Sequence, residues 1–473
     1  MRILLANSPG MSYLYKLGVR WPPLGLAYIG AVLREHGYEV KIVDFDIGSS
    51  DWNTYPYKQF DIVGISAETI RYPKALQVAR LAKEQGAIVV IGGPHVSFFD
   101  KETLDSGVVD YVGRNEGEDV MLTLVNCLAK KAPLNEVKGI SYLDNGKLVR
   151  NPDAPYIGDL DALPFPARDL LPLKLYGSKL KGRLSTSMST SRGCPYNCDF
   201  CSASQFAGVK WRARSVESIL EEIEVVHKRY GFNAIHFVDD NFTLNPERVT
   251  SLCEEIIRRN WDIFWWAMSR VDTIVNSPDM VEVMAKAGLK RMFIGFESAG
   301  QRILDVYGKK THVSDAKVAM QILRKNKVEV VGSFIFGGLH ETKEDVEETI
   351  RFANQLRLDS AQFGILTPYP GTKLYEDVEN RLLSKNWELY TGSIPLTTLD
   401  YLSSEELARL FIKANLSFYM RPKKIALVTS VVSDPAFLET NFFAPLREVL
   451  GKDRADSLLG EMKLPRILRR YSY

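Results

Sequence analysis

The sequence predicts an α/β protein: a doubly wound, Rossmann-like parallel sheet, then a partial (βα)6 TIM-like barrel, then a small, mainly helical carboxyl-terminal region. First, β-branched runs ending in Gly or Ser alternate with amphipathic stretches over residues 1–150, as in buried parallel strands. Second, a longer strand–helix alternation repeats six times over residues 185–385. Third, residues 386–473 show a largely helical pattern, whereas residues 151–184 form a proline-rich connector.

Short apolar runs mark the strands of the first sheet, and helical periodicity marks the segments between them. The expected helices, Leu24–His36 and Pro73–Gln85, are each followed by a glycine, a common helix stop. Asn145-Gly146 predicts the turn of a hairpin. Sheets of this type bind ligands beyond the carboxyl ends of their strands. The strands are expected at Arg2–Ala6, Val40–Phe45, Asp61–Ser66 and Ala87–Ile91.

The second α/β part has strand runs separated by longer amphipathic stretches. This pattern predicts a barrel, and barrel enzymes place their reacting groups at the carboxyl ends of the strands. The strands are expected at Leu184–Thr190, Ala234–Val238, Ile263–Met268, Arg291–Gly295, Val328–Phe336 and Ala361–Thr367. The helices are expected at Val216–Tyr230, Pro246–Asn260, Pro278–Ala287, Ser314–Asn326 and Lys343–Leu356.

The charge and hydropathy of the chain exclude several classes of protein. The 473 residues carry 60 Lys and Arg against 58 Asp and Glu, a net charge of +2. So balanced a chain is not suited to coating nucleic acid. No apolar run reaches the ~18 residues that a membrane span needs, and the first apolar stretch is too short for a signal peptide. We therefore expect a cytoplasmic enzyme that has no transmembrane segment and binds no nucleic acid.

Three of the five cysteines fall within eight residues. Cys194, Cys198 and Cys201 have the spacing Cys-x3-Cys-x2-Cys on the loop after the first barrel strand. Thiolates are the protein ligands of iron–sulfur clusters. Three of them hold three irons of a [4Fe-4S] cubane and leave the fourth iron open to a small molecule. The alternative interpretation is a zinc site with a distant fourth ligand.

The loop resembles that of the radical S-adenosylmethionine (radical SAM) superfamily, on the strength of the three cysteines and Phe200, over residues 185–370. The resemblance implies that S-adenosylmethionine binds the open iron and is cleaved to a 5′-deoxyadenosyl radical. It also implies an electron donor of the flavodoxin or ferredoxin type. The candidate S-adenosylmethionine contacts at barrel strand ends are Asp239, Arg270, Glu297 and Gly337, each with the alternative of a purely structural role.

Four segments of the amino-terminal part together resemble the cobalamin-binding domain of cobalamin-dependent radical enzymes. They are Trp21–Tyr28, Gly64–Thr69, Gly92–His95 and Asn115–Glu118. Physically, paired glycines let backbone approach a large flat ligand, and hydroxyl groups can bond its tail. The candidate cobalamin contacts are Ser66, Glu68, Thr69, Gly92, Gly93, Pro94, His95, Glu116 and Gly117.

One departure from that family pattern concerns the ligand below cobalt. Many cobalamin domains carry Asp-x-His-x-x-Gly after the first strand, but residues 7–12 read Asn-Ser-Pro-Gly-Met-Ser. We therefore expect cobalamin to bind without a histidine below the metal. For His95 we favour a contact with the nucleotide tail, and a cobalt ligand or a structural residue are the alternatives.

The combined resemblance implies a cobalamin-dependent radical SAM methyltransferase. It would methylate an unactivated carbon through the deoxyadenosyl radical and methylcobalamin, on a protein side chain, a lipid or a small molecule. Tyr369, in a loop fixed by Pro and Gly after the last barrel strand, is the candidate catalytic residue on the substrate side. Two alternatives stay open: non-methylating chemistry such as ring formation or carbon–carbon coupling, and an inactive cobalamin sensor or carrier.

Overall fold

The computed structural model describes residues 1–10, 20–422, 424–427 and 438–461. These residues form two seven-stranded sheets and one two-stranded pair. The strands are β1 Arg2–Asn7, β2 Glu39–Asp44, β3 Ile62–Ser66, β4 Ile88–Gly92, β5 Tyr111–Gly113, β6 Ile140–Asp144, β7 Lys147–Arg150, β8 Lys179–Leu180, β9 Arg183–Met188, β10 Ser191–Arg192, β11 Arg212–Ala213, β12 Ala234–Phe237, β13 Phe264–Arg270, β14 Leu289–Glu297, β15 Glu329–Phe336 and β16 Ser360–Ile365.

Helices connect most of these strands, and several begin at a side-chain cap. Asn245 and Ser215 accept hydrogen bonds from backbone N–H groups of the first turns that they precede, which satisfies donors left free at a helix start. The α-helices are Leu24–Glu35, Tyr72–Glu84, Asp100–Asp105, Gly117–Lys130, Leu173–Tyr176, Ser202–Ala207, Val216–Glu224, Pro246–Arg258, Val271–Asn276, Pro278–Lys286, Gln301–Val306, Asp315–Lys325, Lys343–Gln355, Lys373–Val378, Ser404–Tyr419, Ala444–Leu450 and Lys452–Glu461.

The first sheet has the order β2-β1-β3-β4-β5-β6-β7. Strands β1 to β5 are parallel, and β6 and β7 add an antiparallel hairpin at one edge. Helices Leu24–Glu35 and Gly117–Lys130 pack on one face, and helix Tyr72–Glu84 packs on the other. The doubly wound sheet and the Asn145-Gly146 turn are confirmed.

The second sheet has the order β16-β15-β14-β13-β12-β9-β8. Its six strands β9 and β12 to β16 are all parallel, whereas β8 pairs antiparallel with β9. Because β16 and β8 do not pair, the sheet is an open, partial (βα)6 barrel, as predicted. Buried side chains of the surrounding helices and of alternate strand residues form its outer core.

The carboxyl-terminal region joins the two sheets, and helix Ser404–Tyr419 lies against both. Leu407, Leu410 and Phe418 belong to the core of the barrel. Ala408 and Ile412, on a neighbouring stripe of the same helix, belong to the core beneath the first sheet. One amphipathic helix therefore fixes the two sheets relative to each other. Among the described residues, no helix combines the length and apolar composition that crossing a bilayer would require.

Candidate cofactor-binding site

The carboxyl ends of the two sheets border a common cavity of about 370 Å³. Its amino-terminal wall includes Ser66, which ends β3, and Gly92, which ends β4. Its barrel wall includes Ser191 and Arg192, which lead into the cysteine loop. The ligand sites predicted at the strand ends of the two sheets therefore form one cavity, which lies between the sheets.

Glycines keep a slot open at the amino-terminal side of this cavity. Gly64 and Gly113 line it, and a Cβ at Gly64 would lie 3.0 Å from Cδ2 of Leu5. The side walls are apolar and come from helices Leu24–Glu35 and Gly117–Lys130. A slot with apolar walls suits an aromatic group rather than a charged one.

Six of the predicted cobalamin contacts line the cavity. Gly93 has φ +115°, and a Cβ there would lie 2.8 Å from the carbonyl oxygen of Ala67, so this turn requires glycine. The six are Ser66, Gly92, Gly93, Pro94, Glu116 and Gly117.

Three other predicted contacts point elsewhere. Glu68 is 63% exposed and lies 3.5 Å from the Nε of Arg71. Thr69 is buried, with its Oγ1 3.4 Å from Nδ1 of His95. His95 is fully buried among Tyr72 and other rings, and burial lowers its pKa to about 3, so the ring is neutral.

The position of His95 favours the structural alternative over a contact with a ligand tail or with cobalt. Its ring centre lies 4.1 Å from that of Tyr72, 5.4 Å from that of Phe99 and 4.8 Å from that of Trp387. The turn at Gly93-Pro94 directs the side chain behind the cavity wall, into the core shared with the carboxyl-terminal region. Sequence alone does not reveal this direction.

The three predicted cluster ligands lie on the tightly folded loop between β10 and β11. Gly193 has φ +84°, and a Cβ there would lie 2.5 Å from the carbonyl oxygen of Lys210. The Cys194 N–H donates to the carbonyl of Gly208 over 3.1 Å. Burial raises the pKa of the Cys194 and Cys198 thiols.

The other two cysteines lie on helices Gly117–Lys130 and Pro246–Arg258. Cys127 and Cys253 are both buried, Cys253 completely. Within the part of the chain that the structure describes, no three His, Cys, Asp or Glu side chains converge on a single metal-ion position. A [4Fe-4S] cubane takes one protein thiolate for each iron that the protein holds, and the loop carries three cysteines.

Two neighbouring carboxylates at the end of β12 have different surroundings. Oδ1 of Asp239 accepts hydrogen bonds from the N–H and hydroxyl of Thr190, at 2.9 and 2.8 Å, and from the hydroxyl of Ser191 at 2.6 Å. Asp240 instead opens onto the cavity. Burial, and after it the charge of Asp239, raise the pKa of Asp240 to about 6. The predicted contact Asp239 is thus an internal hydrogen-bond acceptor, and Asp240 is the carboxylate that a ligand can reach.

The remaining strand-end residues form contacts around the cysteine loop. Oε1 of Glu297 lies 2.5 Å from Nζ of Lys309, and a Cβ at Gly295 would overlap this ion pair. Arg270 donates to the carbonyl of Lys309 over 2.6 Å. The ring of Phe200 meets that of Tyr307 edge to face, with centres 5.5 Å apart.

The turn after β15 is held by a buried carboxylate. Oε2 of Glu341 accepts hydrogen bonds from the N–H groups of Gly337 and Gly338, at 2.6 and 3.0 Å. Gly337 has φ +91°, and a Cβ there would lie 2.8 Å from Cδ2 of Leu407. Close packing therefore requires glycine at position 337, which is one of the predicted S-adenosylmethionine contacts.

Comparisons with known proteins agree with this two-part site. Residues 188–353 match the family described as the Radical SAM superfamily, and residues 12–125 match the B12 binding domain. A relative from Pyrococcus horikoshii, named "Uncharacterized methyltransferase PH0819", is 41% identical over 434 residues, which cover 89% of this chain and 93% of that protein. The chain belongs to the cobalamin-dependent radical SAM methyltransferase family.

Two further proteins are similar to this chain over most of its length. The anaerobic magnesium-protoporphyrin IX monomethyl ester cyclase of Rubrivivax gelatinosus is 29% identical, covering 89% of this chain and 78% of the cyclase. The structure of the cobalamin-dependent S-adenosylmethionine radical enzyme OxsB, with aqua-cobalamin and S-adenosylmethionine bound, superimposes with a TM-score of 0.73. That match has 19% sequence identity and covers 100% of this chain and 75% of OxsB. It shows a shared fold.

Tyr369, the predicted catalytic residue, lies in the loop after β16. Its hydroxyl donates to the carbonyl of Tyr390 over 3.0 Å. The same loop meets the amino-terminal unit, because a Cβ at Gly371 would lie 2.3 Å from the ring of Phe98. Tyr369 therefore lies close to the Gly93–Phe99 turn, but its hydroxyl already donates a hydrogen bond within the protein.

Two arginines at the edge of the cavity, Arg192 and Arg212, are not among the residues predicted from the sequence. Both reach the carboxylate of Glu116 across the cavity rim. Arg192 stands two residues before Cys194, which is a usable sequence signal. Arg212 follows the cysteine loop and is 96 positions from Glu116, a separation that gives no signal at all.

Proposed function

We propose that this chain holds a [4Fe-4S] cluster, S-adenosylmethionine and cobalamin around the shared cavity and methylates an unactivated carbon. When bound, these groups supply the radical and the transferable methyl group. The observation that carries the proposal is that one cavity has the glycine-floored slot of the first sheet on one side and the cysteine loop on the other. Two α/β units with unrelated sites would not need to share it.

The residues divide between the cofactors by their chemistry. Cys194, Cys198 and Cys201 are proposed as the cluster ligands. The slot at Gly64 and Gly92 is proposed for the apolar tail base of cobalamin, because both residues line the cavity without a side chain of their own. The proposed domain division remains the predicted one: residues 1–150, 151–184, 185–385 and 386–473.

Around S-adenosylmethionine we propose a set of strand-end residues. The carboxylate of Asp240 suits the methionyl amine, because it is the acid at the end of β12 that opens onto the cavity. Phe200, Glu297 and Gly337 are proposed for the nucleoside part. Arg270 offers its guanidinium from the end of β13, although Asp272 and the Lys309 carbonyl already take part of its bonding capacity.

The substrate side is proposed to lie at the loop after β16. The ring of Tyr369 is the candidate contact, since its hydroxyl already donates to Tyr390. The electron donor is proposed to be a flavodoxin or ferredoxin. We propose a cytoplasmic location because three adjacent thiols suit a reducing compartment.

The experiment that tests the proposal is anaerobic purification and reconstitution, followed by metal analysis. We expect about four irons and about one cobalt per chain. Cys194→Ala, Cys198→Ala and Cys201→Ala should each lose iron and keep cobalt. Cys253→Ala, which removes a buried thiol of helix Pro246–Arg258, is the matched control and should keep both metals. Iron without cobalt in the natural protein would contradict the assignment of the amino-terminal unit.

A second candidate function is radical chemistry without methyl transfer. It is favoured by the 29% identity to a porphyrin ring cyclase over 89% of the chain. The products separate the two candidates. Formation of both S-adenosylhomocysteine and 5′-deoxyadenosine supports methylation, whereas 5′-deoxyadenosine alone supports the second candidate.

A further inference from the structure

The cysteine loop begins and ends at a pair of arginines. Arg192 and Arg212 face each other across the two-stranded pair β10–β11. All three cysteines lie between them, and helix Ser202–Ala207 completes the loop. The position of this pair therefore determines where the whole loop stands.

Both guanidinium groups bind one carboxylate of the amino-terminal unit. Nη1 of Arg192 lies 3.1 Å from Oε1 of Glu116, and Nη1 of Arg212 lies 2.8 Å from the same oxygen. Nη2 of Arg192 also reaches Glu118 at 2.6 Å. The exposed fractions of the side chains are 17% for Arg192, 5% for Arg212, 8% for Glu116 and 4% for Glu118. We call these four residues the charge bridge.

Arg212 binds three separate parts of the chain at once. Besides Glu116, it donates to the carbonyl of Ile157 in the connector over 2.8 Å, and to that of Ala207 at the end of the cysteine loop over 2.7 Å. Ala207 and Glu116 both line the cavity. The side chain of Arg212 thus connects the two walls of the cavity.

A buried ion pair of this kind specifies geometry more than it adds stability. Desolvation of the charges offsets most of their attraction, but removing one partner leaves an uncompensated buried charge. The paired arrangement is therefore strongly preferred over any displaced one. Guanidinium forks add direction, because their donors lie in one plane.

We propose that Glu116, Arg192 and Arg212 are positioning residues that fix the cluster at a set distance and orientation from cobalamin. The inference rests on the proposed function, since it requires both cofactors at this cavity. The inference goes beyond the proposed function because it states what sets the relative position of the two cofactors, namely the charge bridge between the two units. Small misplacements of reacting groups cost up to about 10²-fold in rate, so such a device has a measurable consequence.

The test variant is Glu116→Gln, which keeps the size of the side chain and removes its charge. Arg212→Lys is the second variant, in case the first folds poorly. Glu222→Gln is the matched control: Glu222 is also a buried carboxylate held by two arginines, Arg168 at 2.7 Å and Arg214. The two arginine partners of Glu222, however, belong to the connector and the barrel, so these ion pairs do not involve the amino-terminal unit.

The first measurement is hydrogen–deuterium exchange on the cofactor-free chain. Glu116→Gln should speed exchange by about tenfold or more in both the cysteine loop and the first turns of helix Gly117–Lys130. Glu222→Gln should leave these two segments at the rate of the natural protein. Faster exchange in only one of the two segments would overturn the bridge, whether or not the chain binds any cofactor.

The second measurement is pulsed electron paramagnetic resonance on the loaded protein, with the cluster reduced and the cobalamin as cob(II)alamin. The dipolar coupling between the two spins falls with the cube of their distance. Glu116→Gln should broaden or shift this coupling, and Glu222→Gln should not. An unchanged coupling in Glu116→Gln and Arg212→Lys, with both metals bound, would overturn the inference and leave the proposed function intact. A natural protein that binds no cobalt would instead overturn the proposed function.

Discussion

The guanidinium of Arg270 lies 3.5 Å from the centre of the Tyr196 ring. Arg270 ends strand β13, and Tyr196 stands between the first two cysteines of the loop. Oδ1 of Asp272 lies 3.1 Å from Nε of the same guanidinium. The barrel therefore contacts the cysteine loop between Cys194 and Cys198, whereas Arg192 and Arg212 of the charge bridge lie at the two ends of the loop.

Replacing Tyr196 should loosen the cluster without unfolding the barrel. Tyr196→Leu removes a cation–π contact worth about 0.5–2 kcal/mol, so we expect iron to be lost several-fold faster on challenge with a chelator. Phe264→Leu is the control, because Arg183 lies 3.6 Å above Phe264 at the opposite end of the barrel. Equal rates of iron loss in the two variants would contradict the role of the Arg270–Tyr196 contact.

The architecture could be predicted from the sequence because it depends on local patterns, and the candidate metal ligands were proposed from a local pattern as well. Each predicted strand of both sheets is present, with its ends displaced by at most two residues. The spacing of Cys194, Cys198 and Cys201 needs no tertiary information either. By contrast, the choice between Asp239 and Asp240 depends on which way a strand end turns, and adjacent residues there face opposite directions.

Long-range contacts explain the rest of what the sequence did not reveal. His95 enters a core completed by Trp387, almost 300 residues later in the chain. Arg212 meets Glu116 only because the connector folds the barrel against the first sheet. Neither contact leaves a periodicity or spacing, so only the folded chain identifies these residues.

Asp240 should control the affinity for S-adenosylmethionine, and Asp239 should control stability. Asp240→Asn removes a charge that opens onto the cavity, which should weaken S-adenosylmethionine binding roughly 10- to 100-fold. Asp239→Asn disturbs the bonds from Thr190 and Ser191 and should chiefly lower the melting temperature. Equilibrium binding of S-adenosylmethionine and thermal unfolding of both variants distinguish the two roles. The assignment would be reversed if Asp239→Asn gave the larger loss of affinity.

Filling the glycine-floored slot should remove cobalt and spare iron. Gly64→Val adds a side chain where even a Cβ lies 3.0 Å from Leu5 and 3.5 Å from Met121. We expect cobalt content to fall at least about tenfold, while iron stays near four per chain. Gly158→Val is the control, because no atom lies within 4 Å of the added Cβ there. Full cobalt in Gly64→Val would place the cobalamin tail elsewhere.

His95 should govern acid stability and not cobalt binding. Burial lowers its pKa to about 3 in the folded chain, against 6.5 for a free histidine. As the pH falls, the unfolded chain therefore binds a proton at His95 before the folded chain does. The free energy of unfolding decreases as the pH falls below 6.5. Between pH 7 and pH 5 this loss is about 2 kcal/mol.

His95→Phe should remove this loss of stability and should retain cobalt. Thermal or urea unfolding at both pH values measures the loss. The exposed His36→Phe is the control. Loss of cobalt from His95→Phe, at a melting temperature equal to that of the natural protein, would show that His95 contacts the cofactor after all.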